Sequence, residues 1–445
     1  MKKLMFALLL LVLMSGMAFG AVNVKEGKWN GSGMSTSALE KATLVVGTDY
    51  VFEYETDNGE VPHNVTWVIV SEVDGTQSVY YGNPIRVNFP AAGNYNITVK
   101  YRGAVVYGPK EVKVNEGPLG MALALIGAGI AVGASGMGAA IGVGIAGASG
   151  AAAVAEDKNR FRTAFIFQAF PQTQGIYGLL IGILILLYTG ALGGGLRPEA
   201  NIPVGAGLMA LGAGLSVGIA GLSAIGQGIV AGTGIGVTRK QGAMGKAVVF
   251  TVLPETQAIY GLLVAILLLQ GMAAIINHGA PTTYALAMGI AAVGVGLGMG
   301  LSGITAIGQG IAASSGSSAT AQNPRAFSSA IIFSVLPETQ SIYALLAAIL
   351  VIMGMGLMTG AIPAMSPFQS MLVGIGVIGI GFAVGLAGIS GIGQGITAGA
   401  GAAAYVKNPG TRTQSIILSV MSETYAIFGL LMAILIMMAL HILGG

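Results

Sequence analysis

A carboxylate in the middle of an apolar run constrains this chain more than any other feature. Residues 250–269 read FTVLPETQAIYGLLVAILLL, with Glu255 inside them. On insertion scales an acid at the centre of a membrane helix costs roughly 2.5–3.5 kcal/mol. A segment that only filled a bilayer would use leucine instead. The same words return as FSVLPETQSIYALLAAILVI around Glu338 and, altered, as LSVMSETYAIFGLLMAILIM around Glu423. From Ala164 to the C-terminus the only acids are Glu199, Glu255, Glu338 and Glu423. Three of them stand at one repeated place.

Aligning PQTQGIY, PETQAIY, PETQSIY and SETYAIF puts Gln172, Glu255, Glu338 and Glu423 in register, at spacings of 83, 83 and 85 residues. A repeat of this kind is a structural unit. Each unit holds a Gly/Ala-rich apolar segment, a polar loop, and a second segment rich in Leu, Ile and Met. Segments of about 30 residues cross a bilayer and protrude. The expectation is an all-α membrane protein of eight transmembrane helices, paired as four hairpins near 118–194, 203–276, 283–359 and 367–443. As domains these are residues 117–197, 198–278, 279–362 and 363–445. Charged residues are 8% of the chain, against about 25% in a soluble globular protein.

The first helix of each later unit carries glycine every seven residues: Gly207, Gly214, Gly221 and Gly228, then Gly289 to Gly310, then Gly374 to Gly395. Small residues on one face let helix backbones approach closely in lipid. That predicts a tight inner circle of glycine helices, with the bulkier second helices outside. Loops inside the hairpins read AEDKNRFRT, TRKQGAMGK, QNPRAF and YVKNPGTRT, each with Lys or Arg. In the loops between hairpins Arg197 is the only strong base. The positive-inside rule puts the first set in the cytoplasm and the C-terminus outside.

The N-terminal part reads differently. Residues 1–20, MKKLMFALLLLVLMSGMAFG, have the basic start, short apolar run and small residues of a cleavable export signal. Residues 21–116 alternate polar with β-branched or aromatic residues in DYVFEYET, NVTWVIV, IRVNFPAAGNYNITVKYRG and EVKVN. That pattern predicts short antiparallel strands in an all-β sandwich outside the cell, and PAAGNYNITVKY resembles the late strand of an immunoglobulin-like or PKD-type module. Asn30, Asn64 and Asn96 lie in N-x-S/T triplets, which carry little weight alone.

Buried polar residues around the glutamates suggest what they do. At about 100° per residue, Glu255 and Gln257 fall on opposite flanks of their helix, and Thr256, Gln257 and Tyr260 cluster on one. One helix so offers a carboxylate to one neighbour and a Thr/Gln/Tyr set to the other. Pro254 lacks an N–H and is expected to disturb the helix, leaving carbonyls free to coordinate. The glycine helix adds an amide, since IGQGI carries Gln227, Gln309 and Gln394. Carboxylate, amide, hydroxyl and carbonyl oxygens together suit a hard monovalent cation, not a catalytic acid–base pair.

Departures from the repeat sharpen this. Hairpin 1 has Gln172 for Glu and Val143 for Gln, yet keeps Pro171, Thr173, Gln174 and Tyr177. Hairpin 4 keeps Glu423 and Gln394 but has Ser422 for Pro, Tyr425 for Gln and Phe428 for Tyr. The first unit retains only the receiving half of a site, the last only the carboxylate half. Three complete sites between consecutive hairpins follow, and none at the chain's ends.

Residues 118–443 resemble tandem c-type proteolipids, which form the membrane rotor ring (the K or c ring) of V-type and archaeal A-type ATPases. LPETQAIYG and MSETYAIFG are similar to the sodium-binding members. The resemblance implies a coupling ion on each glutamate, Na⁺ with H⁺ alone as the alternative. It implies a first site of Glu255 and Gln227 with Thr173, Gln174, Tyr177 and the Phe170 carbonyl. A second would join Glu338 and Gln309 to Thr256, Gln257, Tyr260 and the Leu253 carbonyl. A third would join Glu423 and Gln394 to Thr339, Gln340, Tyr343 and the Leu336 carbonyl. It further implies a homo-oligomeric ring in lipid, a stator subunit with an essential Arg, and central-stalk subunits at the cytoplasmic loops.

Other classes fit less well. The chain has no Cys, and His63, His278 and His441 lie far apart, without metal-ligand spacing. A net charge of +3 does not suggest nucleic acid. No GxxxxGK[ST] loop occurs, so the expectation is an ion-translocating subunit with no catalytic site of its own. A secondary transporter would show inverted repeats converging on one site. A pore or purely structural proteolipid would not need three Glu/Gln/Thr/Gln/Tyr sets.

Overall fold

The computed structural model of the chain describes residues 44–45, 49–52, 54, 62–72, 75–90, 92–115, 117–192, 202–278, 282–356 and 365–443. The expected export signal, Asn30, Arg197 and Glu199 lie outside the described residues. The chain divides into two compact units, Met1–Gly117 and Pro118–Gly445.

In the first unit, alternation along the strands builds two sheets on one core. A five-stranded sheet runs in the order β1 (Leu44–Val45), β7 (Ala104–Asn115), β6 (Gly93–Tyr101), β3 (Val65–Ser71) and β4 (Gln77–Tyr81). β2 (Asp49–Phe52) pairs with β5 (Ile85–Asn88) in a second. Every second residue of β3 is buried, and Trp67, Ile97, Val99 and Val114 meet Tyr50, Phe52, Val87 and Phe89 between the sheets. Two points differ from the sequence expectation. β1 pairs with β7 in parallel, Leu44 opposite Val114. β4 was not legible as a strand because it is an edge whose residues are mostly exposed, so no buried alternation marks it.

The second unit has eight helices long and apolar enough to cross a membrane, among the described residues. The inner helix of hairpin 1 runs unbroken from Leu119 to Glu156. Those of hairpins 2, 3 and 4 run Val204–Val237, Thr282–Gln322 and Pro367–Lys407, each with one break. The outer spans are Lys158–Tyr188, Met244–Asn277, Pro324–Gly354 and Pro409–Ala439. Inner helices stand side by side in chain order, and glycine is what lets them. A side chain on Gly212 would overlap the Ala292 carbonyl of hairpin 3, and one on Gly296 the Gly212 carbonyl in return. The outer helices supply Ile181, Ile185, Leu268, Ala347 and Val351 to the apolar core that the inner helices line.

The breaks in the inner helices have a sequence cause. Gly127, Gly142, Gly212 and Gly226 all press against the next hairpin. One residue fewer separates the second pair than the first. A 3₁₀ turn rises about 2.0 Å per residue against 1.5 Å in an α-helix, so fewer residues span the same height. Hairpin 2 accordingly has i→i+3 bonds around Gly221–Leu222, with Ala224 N–H donating to Gly221 O and Ile225 N–H to Leu222 O. Hairpin 3 has a 3₁₀ turn at Gly303–Thr305. Hairpin 4 breaks at Ile389–Ser390 in the same manner.

Two glycine substitutions should separate close approach from chain flexibility. Gly226→Val puts a side chain into the Ala306 backbone, and its cost should reach at least the ~1–3 kcal/mol of an overpacked core. Gly236 has open space around it, so Gly236→Ala should be near neutral. Thermal unfolding of the two variants in detergent checks this, with a lowered midpoint expected for Gly226→Val alone.

Candidate ion sites between hairpins

Each glutamate closes a 3₁₀ turn inside its outer helix: Leu253–Glu255, Leu336–Glu338 and Met421–Glu423, matched by Phe170–Gln172 in hairpin 1. Proline is not the sole cause, since Ser422 stands in the same turn of hairpin 4 without a ring. The carbonyls expected to be free are also engaged. Leu253 O accepts the Thr256 N–H and lies 3.0 Å from the Thr256 hydroxyl. The tight turn recurs in all four hairpins, each time against an inner helix. It re-aims the acid toward the preceding hairpin.

The first site joins hairpins 1 and 2. Tyr177 hydroxyl donates to Glu255 Oε1 at 2.6 Å, and Gln227 Nε2 donates to Glu255 Oε2 at 3.2 Å. Gln174 Nε2 donates to Gln227 Oε1 at 2.7 Å, which orients that amide toward the acid. Thr173 Oγ1 lies 3.1 Å from both the Phe170 carbonyl oxygen and Gln174 Oε1. Phe170 O also accepts the Thr173 N–H, so the single hydroxyl proton can serve Gln174 Oε1.

The other two sites repeat the arrangement. Glu338 accepts from Tyr260 at 2.7 Å and from Gln309 at 2.9 Å, and Gln257 donates to Gln309 at 2.7 Å. Thr256 Oγ1 lies 3.2 Å from Gln257 Oε1. Glu423 accepts from Tyr343 at 2.6 Å and from Gln394 at 3.0 Å, and Gln340 donates to Gln394 at 2.5 Å. Thr339 Oγ1 lies 3.0 Å from Leu336 O. All six glutamines are fully buried. The three glutamates and their tyrosines are half-buried. Every residue the sequence assigned to a site thus falls within its own group, and each group spans two consecutive hairpins.

At the ends of the chain the halves stay apart. Tyr425 and Phe428 are 66% and 58% exposed, and Gln172 is exposed on hairpin 1. Sequence reasoning missed the polar groups at the breaks. Thr305 Oγ1 donates to Pro337 O at 2.6 Å, tying the inner helix of hairpin 3 to the turn that carries Glu338. Ser223 and Ser390 occupy the corresponding places, and each has a buried hydroxyl without a partner among the described residues. The shortened glycine spacing was the available signal. No cluster of three or more His, Cys, Asp or Glu occurs among the described residues, so these centres offer one carboxylate each with neutral oxygens around it.

Residues 126–185, 211–268, 293–351 and 378–436 each match the family of the ATP synthase C subunit. Over 234 residues the chain is 49% identical to the A-type ATP synthase subunit K of Methanocaldococcus jannaschii, an overlap of 52% of this chain and 97% of that protein. It is 36% identical over 165 residues to the V-type sodium ATPase subunit K of Enterococcus hirae, 37% of this chain and 96% of the relative. It is also 36% identical over 110 residues to the V-type proton ATPase proteolipid subunit of Dictyostelium discoideum, 24% of this chain and 51% of that protein. With one family match on each of its four hairpins, the chain belongs to the family of the ATP synthase C subunit, as a rotor proteolipid of the A/V-type ATPases.

Proposed function

We propose that the chain carries Na⁺ across the membrane on Glu255, Glu338 and Glu423, as part of a ring whose rotation is coupled to ATP chemistry on partner subunits. One observation carries the reading. Next to the groups that hold each carboxylate, a Thr hydroxyl lies 3.0–3.4 Å from both a Gln carbonyl oxygen and a backbone carbonyl, so neutral oxygens gather there with the acid. Such a group suits a small hard cation, and the cation would neutralise the glutamate. The sodium ATPase subunit among its relatives supports the same ion. A neutralised carboxylate can pass through lipid as a ring turns, while a bare one cannot. Release then belongs at a stator whose Arg meets the bare acid. This locks ion passage to rotation.

Placement in the cell follows the loop charges. Hairpin loops face the cytoplasm, where a central stalk would dock, and the β-domain and C-terminus lie outside. Ring closure uses the two open faces of the hairpin array. On hairpin 1, Gly129, Gly133, Gly136 and Gly144 have no atom within 4 Å of where a side chain would start. On hairpin 4, Phe368, Leu372, Ile375, Phe382 and Leu386 are exposed along one stripe. A second copy covers both.

Sodium at neutral pH should slow carbodiimide labelling of Glu255, Glu338 and Glu423 in the purified ring, and the protection should weaken as pH falls and protons compete. Glu199 should not respond. Labelling that ignores Na⁺ and follows pH alone would make the ring proton-coupled.

Gln227→Val should weaken the Glu255 site at least tenfold in Na⁺ affinity and leave the ring assembled, because hairpin 1 already carries Val143 at that place. Loss of the ring on gel filtration would make the amide a packing element first.

Bound Na⁺ in the purified ring should count three per chain. Four would place an ion at the junction between copies, and two would remove one of the sites described above.

A further inference from the structure

We propose that a cavity at the loop end of hairpins 2 and 3 binds a phosphate-bearing anion. Its volume is about 100 Å³, and Lys240, Ala243, Lys246, Ser317, Thr320 and Pro324 line it. Ser317 and Thr320 are 2% and 4% exposed, and neither hydroxyl oxygen has a hydrogen-bond partner among the described residues. Helical Ser and Thr hydroxyls commonly bond the carbonyl one turn back, as Ser334 does to Ala330 O at 2.8 Å. These two do not. A buried polar atom left without a partner marks a place for water or a ligand.

Comparison with the preceding pair of hairpins shows what was removed. There the guanidinium of Arg160 reaches across and donates to Ile235 O and Thr238 Oγ1. Thr320 stands at the same place after Gln309 as Thr238 does after Gln227. At the place corresponding to Arg160, counted from Gln172 and Glu255, hairpin 2 has Ala243. The side chain that fills the niche between hairpins 1 and 2 is therefore missing between hairpins 2 and 3, and the cavity is the space it leaves.

Charge then selects the occupant. Two ammonium groups stand at the cavity, and none of its lining residues carries a carboxylate. Lys240 Nζ donates to Ala321 O at 2.8 Å and Lys246 Nζ to Pro324 O at 3.2 Å. The first of those bonds covers a carbonyl at the C-terminal end of the Ala306–Gln322 helix, and the second one in the turn that follows it; both would otherwise repel an anion. Each ammonium has three N–H groups, so two per lysine remain for a ligand. Lys246 is further held 5.6 Å from the Phe327 ring centre. The cavity lies where apolar helices end, at the level of a bilayer surface, and basic pockets between helices there accept phospholipid headgroups. A phosphodiester of an anionic lipid and free phosphate share the required chemistry.

Amine-selective labelling of the full-length protein, read by mass spectrometry, tests this and separates the two sources. Inorganic phosphate in detergent should slow labelling of Lys240 and Lys246 at least fivefold if the ligand is the free ion. Vesicles of phosphatidylglycerol, and not of phosphatidylcholine, should do so if it is a lipid headgroup. Lys158, exposed on the loop of hairpin 1, should change less than twofold in either case. Thr320→Val with Ser317→Ala should abolish the protection, and so should Ala243→Arg, which refills the niche as Arg160 does in hairpin 1. Equal labelling under all conditions would overturn the proposal. So would protection that survives these variants, which would leave the cavity to water alone.

Discussion

Everything in the membrane unit turns on a carboxylate that must be satisfied away from water by groups from another hairpin. Neither hairpin of a pair holds all of the donors. Glu255 takes one hydrogen bond from Gln227 of its own hairpin and one from Tyr177 of the hairpin before it. Charge-assisted bonds of this kind are stronger than neutral ones and demand close approach. The glycine faces of the inner helices set that approach, because any side chain on Gly212 or Gly296 would hold the backbones apart. Chain order, inner-helix spacing and acid placement are one solution to one cost.

Most of this was legible because the repeat shows each position four times. The hairpins, the inner glycine helices and the two-sided helix face follow from register and from 100° per residue, while the full grouping around each acid is what the resemblance to tandem c-type proteolipids implies. The opposite flanks of Glu255 and Gln257 required two different neighbours. Tyr260 does reach forward to Glu338, while Glu255 reaches back to Tyr177. Cause was harder to read than place. Proline offers a ready explanation for the turn before Glu255, but Ser422 sits in the same turn. The breaks in three inner helices depend on a one-residue difference in glycine spacing, which the heptad pattern hides. Arg160 reads from sequence as a loop cation, and only the fold shows it inserted against Ile235 and Thr238.

Asymmetry within the chain extends beyond the missing acid. Seven residues before Gly127, Gly212, Gly294 and Gly379 stand Gly120, Gly205, Ala287 and Leu372. The first two lie against the next hairpin so closely that a side chain would overlap the Ile202 and Ala285 carbonyls. Leu372 is 51% exposed on the open face. In the proposed ring, the seam between copies therefore meets a leucine where the seams within a chain have glycine or alanine. Tyr425 and Phe428 stand there in place of the Gln amide and the Tyr hydroxyl of the other hairpins. Each ion crossing the membrane potential contributes about 2.3 kcal/mol per 100 mV. On the proposed reading, three carriers on four hairpins gather less work per turn than a full set would, and need a steeper gradient to drive the same chemistry. Run in reverse, fewer ions per ATP let the same hydrolysis hold that steeper gradient.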